Sequence, residues 1–302
     1  MAPARNAQAI ALMVFSMALF ALEDALIKII ATGLGAGQII FLQAFVGFVI
    51  FGAISRWRGE AWRRDILLDK VVLLRNGAEI FMVLTFVSAL TLMPLSNASA
   101  ILQVQPLMVT LGAALFLGET VGWRRWTAVA IGFFGVLLII RPGMEGFNAA
   151  SLLALAGAIG LAARDLSTRA LKQGIPTFLA NAWASLFVCI GGAALQTFAG
   201  GWTMPNADEI RLLVYATGLG LVAYTAITIG LRIGETAAVA PFRYSRLVFA
   251  MIIGAILFGE RPDALTYVGS ALVIATGVYT LWRERRRRAE ALRIAATAAT
   301  AR

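Results

Sequence analysis

Histidine is absent from this chain of 302 residues, and cysteine occurs once, at Cys189. These absences remove the commonest metal ligand, an intrachain disulfide and any cysteine-based metal cluster. Charged residues are also scarce, at 14%, where soluble domains carry roughly 25%. Because 60% of the residues are hydrophobic and the mean hydropathy is +0.82, the composition predicts a multi-pass membrane protein. We expect neither a metal nor a cofactor.

Ten apolar runs are long enough to cross a hydrocarbon core of ~30 Å, which takes about 20 helical residues. We number them as spans 1 to 10, with approximate limits 9–31, 36–54, 71–93, 96–117, 123–140, 149–171, 176–199, 210–231, 236–258 and 264–282. Most of the links are short and carry Gly or Pro. The link 55–70 is longer and alternates tryptophan with arginine, which predicts a short helix lying in the membrane interface.

Basic residues in the links predict how the chain is oriented in the membrane. Arginine is densest in the link 55–70 and in the segment after residue 282, and both lie on the cytoplasmic side if the N-terminus does. The opposite side receives only Arg141, Arg211 and Arg261. We therefore place both termini in the cytoplasm. The net charge of +10 then reflects basic residues that set the topology and contact lipid headgroups, and it does not indicate nucleic-acid binding.

The chain also contains an internal duplication. The segment GAALFLGE, which ends at Glu119, is echoed by GAILFGE, which ends at Glu260, and the same interval separates Asp24 from Asp165. Charged residues are rare inside apolar runs, so such a match is improbable by chance. We infer two repeats that meet near residue 145. Each repeat holds five spans, an odd number, so the second enters the membrane inverted, as in many secondary transporters.

The complete pattern resembles the drug/metabolite transporter superfamily, specifically its EamA-type bacterial exporters. The resemblance rests on the ten spans, the paired halves, the Gly-Glu that closes spans 4 and 9, and Arg141-Pro142-Gly143 after span 5. It implies an all-α membrane protein with repeats at 1–144 and 145–282 and a basic tail at 283–302. It further implies a central cavity lined by spans 1, 3, 4, 6, 8 and 9. Members export amino acids and other small metabolites, and the layout is similar to the aromatic amino-acid exporters of the bacterial inner membrane.

Charged side chains inside the apolar runs mark the candidate site, since each costs ~2.5–3.5 kcal/mol at the centre of a span. They occur in spans 1, 3, 6 and 9, whereas spans 2, 5, 7 and 10 carry none away from their ends and are predicted to form a lipid-facing scaffold. A spacing of four residues predicts intrahelical pairs of Asp24 with Lys28, of Asp165 with Arg169 and of Arg75 with Glu79. The candidates for substrate binding or gating are Glu23, Asp24, Arg75, Glu79, Gln103, Gln105, Arg164, Asp165, Tyr224, Arg243, Tyr244 and Arg246.

The direction in which each span crosses the membrane predicts the depth of its charged residues. Span 1 runs outward and span 6 inward, so we expect Asp24 slightly beyond the midplane and Asp165 on the cytoplasmic side. The other charges of spans 3, 6 and 9 fall in the cytoplasmic half. We hypothesise that they form an inner gate of cross-helix salt bridges, made when the cavity opens outward and broken when it opens inward.

Several candidates match the chemical groups of an amino acid. These are Arg243 and Arg246 for the carboxylate, Glu23 or Asp24 for the ammonium group, Gln103 and Gln105 beside a kink at Pro106, and Tyr224 and Tyr244 as apolar walls. Asn76, Asn97 and Asn181 are expected to make hydrogen bonds between helices. Without histidine, proton coupling would need a carboxylate of raised pKa, and each candidate lies near a cation. We therefore favour uniport or exchange over proton antiport.

Other functions remain open at this point. A transporter of another metabolite or drug, in either direction, fits the same pattern, and so does a passive channel or scramblase. An intramembrane enzyme would need two catalytic side chains in contact, such as Asp24 and Asp165. The inverted repeat is expected to place these two aspartates at different depths. No phosphate-binding Gly-x-x-x-x-Gly-Lys motif is present, so ATP is not expected as the direct driver. A monomer is plausible, because the two halves already form a pseudo-dimer.

Overall fold

The computed structural model describes residues 3–60, 62, 69–116, 122–144, 147–171, 175–233 and 239–300, and in these it is all helical. The helices are α1 Pro3–Ile30, α2 Ala36–Trp57, α3 Lys70–Leu92, α4 Leu95–Leu102, α5 Gln105–Phe116, α6 Trp123–Ile140, α7 Ala150–Arg169, α8 Thr177–Ala199, α9 Ala207–Ile233, a 3-10 helix Ala240–Tyr244, α10 Ser245–Phe258 and α11 Ala264–Thr300. Nine stretches of this described chain are long and apolar enough to cross a membrane, and Trp126–Ile140 is a shorter apolar helix.

The helices correspond to the ten predicted spans. Span 4 comprises α4 and α5, and span 9 comprises the 3-10 helix and α10, while the other spans are single helices. The last helix continues to Thr300, so the basic tail extends span 10 rather than leaving it. The interfacial helix predicted in the link 55–70 lies mostly outside the described residues, as does Glu119.

One span in each repeat departs from a single regular α-helix. Pro106 lacks the N–H that would donate to the carbonyl of Leu102, and span 4 breaks there into α4 and α5. Span 9 begins as a tight 3-10 turn with Pro241 near its start, and regular α-helix follows from Ser245. In inverted-repeat transporters, discontinuous helices in the two halves flank the substrate site.

The helix pairing has the symmetry that an inverted repeat requires. The most extensive contacts join α2 to α8, α1 to α9, α3 to α7 and α6 to α11. Exchanging the repeats converts the α1–α9 pair into the α7–α3 pair and maps the other two pairs onto themselves. Large apolar side chains such as Phe134 and Ile256 are exposed on the outside of the bundle, where a membrane would cover them.

Glycines allow the backbones of paired helices to meet. A Cβ atom added to Gly192 of α8 would lie 2.9 Å from the carbonyl oxygen of Gly37 on α2 and 2.7 Å from the amide nitrogen of Phe41. Both neighbours are backbone atoms, which cannot rotate away. Close approach through small residues is how helices associate where lipid removes the hydrophobic driving force between them.

We therefore expect Gly192→Ala to lower the unfolding temperature of the detergent-purified protein, because the extra methyl overpacks this contact by about 1–3 kcal/mol. Gly218→Ala is the matched control. Gly218 lies on the exposed face of α9, where an added Cβ atom would meet nothing within 4 Å, and alanine favours helix there. A Gly192→Ala protein that unfolds at or above the temperature of Gly218→Ala would contradict the close contact.

Candidate functional site

A cavity of about 430 Å³ lies where the two repeats meet. Eleven of the twelve predicted site residues line it. The twelfth, Asp165, does not line it but accepts a hydrogen bond from Gln105, which does. The volume falls in the ~300–1,000 Å³ range of small-molecule sites. The described residues of α6 and α11 contribute nothing to its wall, in agreement with their predicted scaffold role.

The predicted scaffold role of spans 2 and 7 was wrong. Their helices, α2 and α8, line the cavity with Gln43, Phe51, Asn181 and Ser185. The prediction failed because it followed formal charge alone, and these helices carry uncharged polar groups instead. The Nε2 atom of Gln43 is buried and has no described hydrogen-bond partner.

Asp24 and Arg246 form an ion pair between α1 and α10. Nη2 of Arg246 donates to Oδ2 of Asp24 at 2.6 Å and Nε donates to the same oxygen at 3.2 Å. Asp24 is only 4% exposed. The guanidinium also lies 5.3 Å from the ring centroid of Phe20 and 5.8 Å from that of Phe86, which adds cation–π attraction. The pair joins the first repeat to the second.

The intrahelical pairing of Asp24 with Lys28 was therefore wrong. The ammonium group of Lys28 donates to the carbonyl oxygens of Leu90 and Met93, at the C-terminal end of α3. A cation stabilises the unpaired carbonyls and the partial negative charge at a helix C-terminus. Residues four apart can contact each other, but both side chains are long enough to reach neighbouring helices as well. In the folded protein Asp24 and Lys28 bond to groups on those neighbouring helices.

Arg164 is the centre of a second charged cluster. Its Nη1 atom lies 3.4 Å from Glu79 of α3, and its Nη2 atom donates to Asp165 at 2.8 Å. Asp165 in turn accepts a hydrogen bond of 2.7 Å from Gln105, beside the break in span 4. These contacts connect α3, α5 and α7. Only the Arg164–Glu79 contact is a cross-helix ion pair of the kind that the gate hypothesis requires, because Arg164 and Asp165 are neighbours on α7. The opening of this pair during transport stays a prediction.

Arg75 makes no described ion pair with Glu79, contrary to the predicted pairing. Instead it donates to Asn181 of α8 at 3.0 Å and to Asn76 at 3.3 Å. Asn181 donates onward to the hydroxyl of Tyr224 on α9 at 2.9 Å. The prediction that Asn181 bonds between helices is confirmed, and the chain of contacts holds α3, α8 and α9 together. The described bond of Asn76 is instead to Arg75 on its own helix.

The remaining candidates differ in how much surface they offer. Gln103 donates to the backbone carbonyl of Arg243 at 3.3 Å, so the break in span 4 contacts the 3-10 turn of span 9. Tyr244 is 4% exposed and its hydroxyl group packs against Gly277 of α11, which leaves little of its ring as a cavity wall.

Two ionisable side chains of the cavity have no described hydrogen bond or ion pair. Glu23 packs against Gly220 of α9, where an added Cβ atom would lie 2.5 Å from its Oε1 atom. The guanidinium of Arg243 is influenced through space by Asp165 and by two other arginines, without a described bond to any of them. One carboxyl group and one guanidinium are thus without described partners in a single cavity. The described residues contain no cluster that could hold a metal ion.

A helix cap joins the two repeats at the end of the bundle that is predicted to face outward, which we call the outer end. The carboxylate of Glu260, just after α10, accepts hydrogen bonds from the backbone N–H groups of Leu95 at 2.6 Å and Ser96 at 3.0 Å. The hydroxyl of Ser96 donates to it as well, at 2.6 Å. Nearby, a hydrogen bond from Arg141 lowers the pKa of Asp263 to about 2. The Gly-Glu motif of the second repeat therefore closes the N-terminus of α4.

Comparison with known proteins agrees with this architecture. The EamA-like transporter family matches residues 7–141 and 148–282, one match for each repeat. A riboflavin transporter of Rhizobium johnstonii is 31% identical, over 75% of this chain and 72% of its own. An S-adenosylmethionine uptake transporter of Rickettsia conorii is 24% identical over 87% and 89% of the two chains.

Two further matches extend the same pattern. A pseudopaline exporter of Pseudomonas aeruginosa is 25% identical over 84% of this chain and 89% of its own. A solved crystal structure with 20% identity covers 92% of this chain and 98% of its own with a TM-score of 0.64, which supports the fold. The duplicated sequence, the inverted pairing of helices, the cavity between the repeats and these matches lead to one conclusion: the chain belongs to the EamA-like transporter family, within the drug/metabolite transporter superfamily, and is a multi-pass secondary transporter of small metabolites rather than an enzyme.

Proposed function

We propose that the cavity binds a zwitterionic metabolite of the amino-acid class, and that the protein exports such metabolites across the bacterial inner membrane. The observation that carries the proposal is the presence of Arg243 and Glu23 in one cavity without described ion pairs. A guanidinium suits the substrate carboxylate, with which it can form two parallel hydrogen bonds. The carboxylate of Glu23 suits the substrate ammonium group.

The relatives support this chemistry without deciding the substrate. S-adenosylmethionine, named for one relative, carries the carboxylate and ammonium groups of methionine. Riboflavin and pseudopaline, named for others, show that the family accommodates ligands larger than a single amino acid. Amino acids, including aromatic ones, are the substrates that the sequence favoured. The relatives include both uptake and export proteins, so they support transport of a small metabolite without favouring either direction.

The test measures binding of three matched probes to the purified protein, from the shift each produces in the unfolding temperature. The probes are phenylalanine, phenethylamine, which lacks the carboxylate, and 3-phenylpropionate, which lacks the ammonium group. We expect wild type to bind phenylalanine most tightly. Arg243→Gln should remove the advantage over phenethylamine, and Glu23→Gln the advantage over phenylpropionate.

Arg211→Gln is the control, because Arg211 lies in an exposed pair with Asp208 near the start of α9, away from the cavity. It should leave all three affinities unchanged. The proposal fails if wild type binds the three probes equally, or if neither cavity variant alters the ranking. Methionine and threonine, with their own decarboxylated analogues, extend the test to non-aromatic substrates.

A further inference from the structure

Arg75 is a buried cation that no described carboxylate neutralises. It is 8% exposed and lies on the cavity wall. Its two described acceptors, Asn181 and Asn76, are uncharged amides. Glu79, one helical turn away, is in contact with Arg164 instead. A guanidinium presents five N–H donors, and the Nε donor of Arg75 is buried without a described partner.

Burial of an uncompensated charge is costly, and proteins normally place a counter-charge beside it. Two of the other arginines of the cavity follow this rule: Arg246 has Asp24, and Arg164 has Glu79 and Asp165. Arg243 has no described ion pair, and it is the residue proposed above for the carboxylate at the amino-acid end of the substrate. Arg75 is the second arginine without a described ion pair on the cavity wall.

The surroundings of Arg75 hold it in one orientation. Asn181 accepts from its Nη2 atom and donates to the hydroxyl of Tyr224, so three helices fix the guanidinium. The amide nitrogen of Asn76 is a further buried donor without a described partner. Fixed donors beside an unneutralised charge form a preorganised site for an anionic oxygen group, since the guanidinium is already oriented before the anion arrives.

We propose that Arg75, oriented by Asn181 and Tyr224, is a second anion subsite that receives a second carboxylate of the transported molecule. The inference rests on the proposed function and narrows it: the preferred substrate is an amino acid that carries an additional carboxylate. Arg243 and Glu23 take its amino-acid end, and Arg75 takes the other. A carboxylate fits because its two oxygens can accept parallel N–H bonds from one guanidinium.

The experiment compares probes that differ only in this second group. Binding of glutamate and glutamine to the purified protein is measured from the concentration dependence of the unfolding temperature. We expect wild type to bind glutamate about tenfold or more tightly than glutamine, because a site built for one polar group rejects the analogue that lacks it. Arg75→Gln should bring the ratio close to one, with Arg211→Gln as the unaffected control.

A second variant distinguishes recognition of the substrate by Arg75 from a purely structural role of this residue in holding the helices together. Asn181→Asp keeps the side-chain size, strengthens the contact with Arg75 and supplies an internal carboxylate, while the Tyr224 hydroxyl can reverse to donate to it. If Arg75 recognises the substrate, this variant folds and loses its preference for glutamate. If Arg75 only ties the helices together, the preference survives in Asn181→Asp, and the inference is overturned.

Failure of the proposed function gives a different result. If no zwitterion binds, the same titration is made with glutarate and its monoamide, which lack the ammonium group. Selective binding of glutarate that disappears in Arg75→Gln would keep the anion subsite and discard the zwitterion site. Equal binding of both members of each pair by wild type, or loss of binding by both in Arg75→Gln without any change in ratio, would overturn the subsite.

Discussion

Replacing Arg246 with glutamine should abolish transport. The change removes the counter-charge of Asp24, which is 4% exposed and accepts both described hydrogen bonds of its Oδ2 atom from Arg246. Breaking a buried pair from one side costs about 3–5 kcal/mol, because the remaining charge is left uncompensated. The cation–π contacts with Phe20 and Phe86 are lost as well. In proteoliposomes we expect the initial rate to fall by about 100-fold or more.

The reciprocal exchange identifies the pair as the cause. Asp24→Asn should lose transport to a similar extent, and the double variant Asp24→Arg/Arg246→Asp should recover a measurable part of it. Recovery will be incomplete, since the arginine then starts from α1 and no longer lies between the two phenylalanine rings. A double variant no better than either single variant, with all three proteins folded, would show that the two residues act separately.

Glu260→Gln should open the outer end of the bundle. The carboxylate accepts three hydrogen bonds at the N-terminus of α4, where negative charge is also favoured by the helix dipole. Loss of a helix cap costs typically about 1 kcal/mol, and up to ~2 kcal/mol in favourable sites. Because the cap joins the second repeat to the first, this energy stabilises the conformation in which the outer end is closed. Its loss should therefore raise the population of the conformation with an open outer end roughly tenfold.

Accessibility of a buried residue measures that shift. Leu34, 2% exposed in the packed outer end, is replaced by cysteine in a background in which Cys189 is serine. A membrane-impermeant maleimide should label this cysteine about tenfold faster when Glu260 is glutamine. Asp208→Asn, a change in an exposed pair on the same side, is the control and should leave the rate unchanged. Equal labelling in all three proteins would contradict a role for Glu260 in closure.

The sequence predicted the elements of this fold better than their contacts. The repeat was visible because Asp24 and Asp165 are rare charges in matching apolar runs, and the break in span 4 was visible because Pro106 removes a backbone donor. The tight first turn of span 9 was not predicted. Pro241 lies so near the start of its run that it is compatible with an ordinary helix N-terminus.

The partners of the charged residues could not be predicted from spacing. Residues four apart share a helical face, but a long side chain on that face also reaches the next helix, and the sequence does not specify which helix that is. Asp24 therefore bonds to Arg246 rather than Lys28, and Arg75 bonds to Asn181 rather than Glu79. The contribution of α2 and α8 to the cavity was missed for a related reason: Gln43 and Asn181 are polar without being charged.

The most direct test of the account is counterflow in proteoliposomes. Vesicles are preloaded with an unlabelled amino acid, such as phenylalanine, methionine or glutamate, and the same labelled amino acid is added outside at low concentration. A carrier with a zwitterion site at the interface of the repeats predicts transient accumulation of label above equilibrium, which saturates and disappears in Arg243→Gln but persists in Arg211→Gln. Label that only equilibrates, at a rate proportional to concentration and equal in both variants, would contradict a carrier with this site.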